Sequence, residues 1–146
     1  MDEFEELKAP PIVFPGQRGH EAAYRTAHDL LARRAPVEAL EVIEPALAEE
    51  PGNSGLRSLR AWAYLIRAQL GRAEAELRAL AEERPDDDWV HHALGRALER
   101  QSEYAAALPH LRLAAAMTGD PEHEVAVLRV ERRLAETGER SFDDLA

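Results

Sequence analysis

A regular repeat constrains the fold of this chain more than any other feature. Three alanines recur at intervals of 34 residues, and an apolar residue follows each of them four positions later. These pairs are Ala39 and Ile43, Ala73 and Leu77, and Ala107 and Leu111. Pro51 and Pro85 are separated by the same interval, whereas Pro121 comes two positions later than the period requires. A period of about 34 residues accommodates two helices, which bury their apolar faces by stacking against neighbouring units.

The composition also favours an all-α protein. The 146 residues include 27 Ala and 19 Leu but only 10 Ile and Val together, so straight-chain helix formers outnumber β-branched residues. With a hydrophobic fraction of 45%, the chain has enough apolar residues to form a buried core.

Several classes of protein are excluded or disfavoured by the same composition. Without Cys, the chain cannot use thiol catalysis, disulfides or Cys-ligated zinc. No run of 18 apolar residues predicts a membrane span, and the acidic residues 1–6 do not resemble a secretory signal, so we expect a cytoplasmic protein. A net charge of −10 disfavours nonspecific binding to nucleic acid.

The repeated units resemble the tetratricopeptide repeat, whose pattern is W-x2-L-G-x2-Y in the first helix, A-x3-F in the second helix, and then Pro. The matching residues are His91, Leu94, Gly95, Leu98, Ala107 and Leu111 in the third unit; Ala23, Thr26, Ala27, Leu30, Ala39, Ile43 and Pro51 in the first; and Leu59, Trp62, Ala63, Ile66, Ala73, Leu77 and Pro85 in the second. The resemblance covers residues 20–136. It implies a right-handed α-α superhelix, a solenoid of three helix pairs with a C-terminal capping helix.

The second unit departs from the pattern. Strict spacing by one period would bury Arg57 and Arg60. We therefore expect the first helix of this unit to lie two residues later, with Ala63 as its small packing residue and a shortened loop before the second helix.

The sequence predicts seven helices, at about 20–34, 36–50, 54–70, 72–84, 88–101, 103–117 and 122–137. The expected units are 20–53, 54–87 and 88–121, followed by the capping helix 122–137, which would end at Gly138, and a tail, 138–146. Residues 1–19 contain several prolines and are expected to be extended. Their apolar Ile12, Val13 and Phe14 belong either to a flexible tail or to a segment that docks on this chain or on a partner.

No motif for catalysis or metal binding is present. The chain has four Ser, at expected helix starts, turns or the tail, and it lacks GxSxG, HExxH and a Gly-rich phosphate loop. His91 and His92 are adjacent on a predicted helix and diverge by about 100°, and the other histidines are scattered over different units. The sequence therefore predicts a protein that is not an enzyme and that has no cofactor or metal.

The resemblance implies a concave groove lined by the first helix of each pair. Residues one position past each buried seam are expected to line this groove. They are Tyr24, His28, Arg57, Arg60, Tyr64, Arg67, His92, Arg96 and Arg100, joined by Glu21, Arg25 and Glu99 and by Arg132 and Glu136 of the capping helix. Among the charged residues expected here, seven Arg face three Glu, so the groove is cationic in an acidic chain.

A cationic groove predicts a protein-interaction module that binds an acidic peptide or partner segment, because Arg donates paired hydrogen bonds to carboxylates. Three alternatives stay open. In the first, the arginines pair with neighbouring Glu on a solvated face. In the second, the chain is an assembly subunit that self-associates through its ends, its convex face or its N-terminal segment. The third is RNA binding. RNA binding would require bases stacked on Tyr24 and Tyr64, on a chain whose net charge opposes it.

Overall fold

The computed structural model describes residue 7, residues 9–10 and residues 20–145, except for the side chains of residues 139–145. This part of the chain contains seven α-helices and no strand, so the predicted all-α helical-repeat solenoid class is confirmed. The helices are α1 (Glu21–Ala32), α2 (Pro36–Glu49), α3 (Ser54–Ile66), α4 (Leu70–Glu83), α5 (Asp88–Arg100), α6 (Tyr104–Met117) and α7 (Pro121–Leu145). Leu7 and Pro10 are buried, whereas the expectation for Ile12, Val13 and Phe14 lies outside the described residues.

The helices follow the repeat register strictly. Second helices begin at Pro36, Leu70 and Tyr104, and the first helices α3 and α5 begin at Ser54 and Asp88. The expected two-residue shift of the second unit is therefore wrong. In strict register Ala61 corresponds to Gly95 and Ala27, and both of these alanines are fully buried. Arg57 and Arg60 consequently occupy positions where the repeat usually carries large packing residues.

The turn within each helix pair provides independent support for this register. Arg34, Ala68 and Ser102 occupy the same position of the repeat, and all three have a left-handed backbone, with φ of 62°, 56° and 62°. After Ala68, the N–H of Gln69 bonds to the carbonyl of Tyr64 across 2.8 Å, which closes the end of α3. Equivalent bonds follow Arg34 and Ser102. This bonding pattern ends a helix most often at Gly, and none of the three residues is Gly.

The chain divides into two compact units, residues 1–85 and 86–146. In the first unit, α1 packs on α2 and α3, and α3 packs on α2 and α4. Its fully buried side chains include Leu31, Ile43, Leu56 and Leu77. The Asn53 carboxamide oxygen accepts the Leu56 N–H at 3.1 Å and caps α3, which satisfies one of the free donors at the helix start.

In the second unit, α6 packs on both α5 and α7. Asp87 caps α5 by accepting the Val90 N–H at 3.2 Å. The helix α7 continues to Leu145, so the expected helix end at Gly138 and the expected tail are wrong. Glycine ends a helix only where it adopts a left-handed conformation, and Gly138 does not. A helical Gly costs only about 1 kcal/mol, which neighbouring helix formers offset.

Candidate functional site

Arg57 and Arg60 of α3 share one carboxylate of α4, and Arg60 also reaches α2. Nε of Arg57 and Nη2 of Arg60 donate to the two oxygens of Glu76 on α4, at 3.0 and 2.8 Å. Arg57 also bonds to Glu83 of α4, and Arg60 lies 3.5 Å from Glu44 of α2. Burial alone would lower the pKa of Arg57, but its bonds to Glu83 and Glu76 outweigh burial and hold that pKa above its ordinary value.

This ion-pair network corrects the expectation that Arg57 and Arg60 lie on an open groove. The strict register turns both side chains toward the second helices, where acidic residues neutralise them. The side chain of Arg57 is only 11% exposed. The pairing with neighbouring Glu, one of the alternatives left open above, is observed for these two residues, but between largely buried side chains and not on a solvated face.

Tyr64 and Arg67 lie at the end of α3. The guanidinium of Arg72, on α4, is 5.9 Å from the centre of the Tyr64 ring, within the range of a cation–π contact. Tyr64 is half-buried, whereas Arg67 follows the last residue of α3 and is exposed. The predicted binding role of both residues stays a prediction.

Tyr24 and His28 form an aromatic row with Trp62 between α1 and α3. The rings of Tyr24 and His28 stack at 6.1 Å, and His28 meets the edge of Trp62 at 5.7 Å. A Cβ at Gly55 would lie 3.0 Å from the Tyr24 ring, so α3 approaches this ring closely. Tyr24 and Trp62 are buried and His28 is half-buried, so the row contributes mainly to helix packing.

His92 is a packing residue of the second unit. Its ring lies 4.4 Å from that of His123, and Nε2 of His123 is 3.1 Å from Asp88. Burial, together with the nearby His123, Arg96 and Arg129, lowers the pKa of His92 to about 3. The imidazole is therefore neutral at pH 7, and within the described residues its Nδ1 has no hydrogen-bond partner.

Glu99 of α5 holds two arginines beside this histidine pair. Arg129 of α7 donates to both Glu99 oxygens, one of them at 2.8 Å, and thereby ties α7 to α5. Arg96 forms an ion pair with the same carboxylate at 3.4 Å and is almost fully buried. Arg100 lies one turn further along α5 and is half-buried.

An open cleft of about 530 Å³ runs along α7. Its described lining, termed the α7 face below, is Val125, Leu128, Arg129, Arg132, Arg133 and Glu136. Val125 and Leu128 are 56% and 64% exposed, and they lie side by side on the same face of α7. Arg132 and Arg133 are exposed as well. The neighbouring Glu131 instead pairs with Arg112 of α6 at 3.0 Å.

Sequence reasoning identified only part of the α7 face. It predicted Arg132 and Glu136 but missed Val125, Leu128, Arg129 and Arg133. The signal for the missed residues was a pair of apolar residues three positions apart, followed by Arg one turn later on the same helix. In the sequence such a stripe resembles a packing surface, and only the exposure of Val125 and Leu128 in the structure shows that it is not one.

Comparisons with known proteins agree with the repeat pattern. Residues 30–98 match the family model of the tetratricopeptide repeat. The solved structure of MamA AMB-1 superposes on the chain with a TM-score of 0.67 and 19% sequence identity, covering 80% of this chain and 64% of that chain. This chain therefore spans less than two thirds of MamA AMB-1, and at this identity the likeness shows the fold alone. No curated protein matches the sequence.

The predicted resemblance to tetratricopeptide repeats is thus confirmed. Such repeats typically form non-enzymatic protein-interaction modules, so the family match supports an interaction or scaffold module. Among the described residues, no helix combines the length and the apolar character required to cross a membrane. In the same part of the chain, no group of three or more potential ligands is arranged to hold a metal ion.

Proposed function

We propose that the chain binds an acidic segment of a partner protein and that the α7 face is the principal contact surface. The observation that carries the proposal is the cleft along α7, where three Arg and one Glu surround two exposed apolar side chains. The surface is locally cationic although the chain has a net charge of −10. It therefore favours an acidic partner, whereas the net charge of the chain would favour a basic one.

Arg132 and Arg133 are the expected carboxylate contacts. Their guanidinium groups are exposed, and each can donate two parallel hydrogen bonds to one carboxylate. Arg129 contributes positive charge but already bonds to Glu99. Val125 and Leu128 would contact apolar side chains of the same segment, and covering them removes apolar surface from water. The expected ligand therefore combines acidic and apolar residues.

This proposal reduces the set of groove residues that were predicted from the sequence to contact the partner. Arg57 and Arg60 are withdrawn from the contact surface because Glu76 engages both of them. Arg67 and Arg100 stay predicted contacts with the acidic partner.

Fluorescence anisotropy tests the proposal with a dye-labelled peptide composed of Glu and Leu and a second peptide in which Gln replaces every Glu. We expect the acidic peptide to bind more tightly and to lose affinity as salt is added. Replacing Arg132 and Arg133 together by Glu should weaken binding about fivefold, since two exposed ion pairs at about 0.5 kcal/mol each contribute about 1 kcal/mol.

Arg78→Glu is the matched control, because Arg78 is a partly exposed arginine on α4, in the other unit. It should leave the affinity unchanged. Equal binding of the acidic and Gln peptides, or full affinity in the Arg132→Glu and Arg133→Glu double variant, would overturn the proposal. Circular dichroism on each variant verifies that the helices are intact.

A further inference from the structure

The length of α7 points to the source of the acidic segment. This helix has 25 residues, whereas α6, on which it packs, has 14. At 1.5 Å per residue, α7 is about 37 Å long and exceeds α6 by about 16 Å. Covering α6 therefore does not require the C-terminal part of α7.

The net charge of α7 changes along its axis: residues 121–135 carry three Arg and three Glu, whereas residues 136–145 are net acidic. The three Arg of the α7 face lie between positions 129 and 133. Residues 136–145 contain four acidic residues and one Arg, together with Phe142 and Leu145. The four acidic residues supply the carboxylates expected of a ligand of the α7 face.

We infer that a second copy of this chain supplies the acidic segment, through antiparallel pairing of two α7 helices. Residues 136–145 of each copy then lie along the α7 face of the other. The inference rests on the proposed function, because the same arginines receive the same kind of segment. A two-fold axis makes the contact reciprocal, so each pair of facing residues occurs twice.

The register of the pairing follows from the described charges. Centring the two-fold axis between positions 132 and 136 places Arg132 opposite the partner subunit's Glu136. Both residues line the α7 face, and Arg132 is exposed. The same register runs the acidic residues 136–145 beside the half of α7 that carries the arginines. Parallel pairing would instead bring Arg132 of the two copies together, which is repulsive.

Sedimentation-velocity ultracentrifugation of the full chain tests the inference. We expect a dimer, with twice the chain mass of 16.3 kDa. Arg132→Glu and Glu136→Arg should each dissociate it, because each places like charges opposite one another. The double variant with both changes should dimerise again, since the reversed charges face each other. Glu124→Arg is the matched control, because Glu124 is exposed on α7 but does not line the α7 face.

A monomeric full chain, a double variant that stays monomeric, or dissociation by Glu124→Arg would overturn the inference. Titrating the Glu and Leu peptide into the Glu136→Arg variant separates the two proposals, because this variant keeps Arg132 and Arg133. A monomeric wild-type chain that binds the peptide through Arg132 retains the proposed function and refutes self-pairing. The opposite outcome is a dimer that dissociates and re-forms with the charge reversals as expected, while the monomeric Glu136→Arg variant binds no peptide. This outcome retains self-pairing and refutes the binding of a separate partner.

Discussion

Replacing Gly95 by Ala tests the close approach of α5 and α6. A Cβ at this position would lie 2.5 Å from Cγ of Leu111 and 3.3 Å from its backbone nitrogen. Carbon atoms in contact normally lie about 3.5 to 4.0 Å apart. Leu111 is fully buried, so its side chain cannot swing into solvent to make room.

Two opposing effects set the magnitude. Replacing a helical Gly by Ala stabilises a helix by about 1 kcal/mol. Overpacking a buried site costs about 1 to 3 kcal/mol, and here the nearby backbone nitrogen also resists a shift of α6. We therefore expect Gly95→Ala to lower the free energy of unfolding by about 1 kcal/mol. The higher helix propensity of Ala alone would predict an increase.

Urea unfolding followed by circular dichroism measures this effect. Gly71→Ala is the control, because Gly71 lies in α4 and a Cβ there would meet nothing within 4 Å. It should be neutral or stabilising. A Leu111→Ala background removes the clash with the Leu111 side chain, so Gly95→Ala should then be neutral or stabilising as well. Equal destabilisation in both backgrounds, or a stabilised single variant, would refute the reasoning.

Three further predictions concern the turns, the ion pairs and the buried histidine. Ala68→Gly should raise the free energy of unfolding by about 0.5 to 1 kcal/mol, because a left-handed backbone strains Ala, whereas Ala75→Gly on the exposed face of α4 should lower it. Arg57→Ala should cost about 2 kcal/mol by removing two charged hydrogen bonds, and Arg78→Ala, whose ion pair lies within one helix, less than about 0.5 kcal/mol. Because the pKa of His92 is lowered to about 3, the free energy of unfolding should fall as the pH drops from about 6.5 toward 3, by up to about 1.4 kcal/mol per pH unit. Replacing His92 by Gln should flatten that dependence in urea titrations. Equal effects of each variant and its control, or an unchanged pH slope, would contradict these expectations.

The helix pairs could be predicted because their signals are local. Alanines at fixed spacing, prolines near helix ends and caps such as Asp87 act within one or two turns of the chain. The expected helix boundaries before α7 accordingly agree with the observed ones to within a few residues. The interaction-module class followed from the resemblance to tetratricopeptide repeats that the same pattern indicates.

The second unit could not be placed in register from its sequence because the deciding contact is distant. An arginine at a packing position argues against burial unless a carboxylate meets it, and Glu76 lies 19 residues after Arg57. The left-handed turn residues were missed for a related reason. At Ala68, the closing hydrogen bonds between turn and helix fix the backbone, and the side chain gives no indication of it.

The sequence by itself determined that this chain is an all-α repeat protein with a regular two-helix period and an acidic average charge. Only the tertiary structure decided which arginines are available to a partner. Arg57 and Arg60 lie against Glu76, and Arg132 and Arg133 lie on an exposed face. All four are identical in chemistry, and each lies on the first helix of a pair or on the capping helix. Helix packing makes the difference between the two pairs. An arginine can bind a carboxylate of a partner only where a carboxylate of a neighbouring helix does not already bind it.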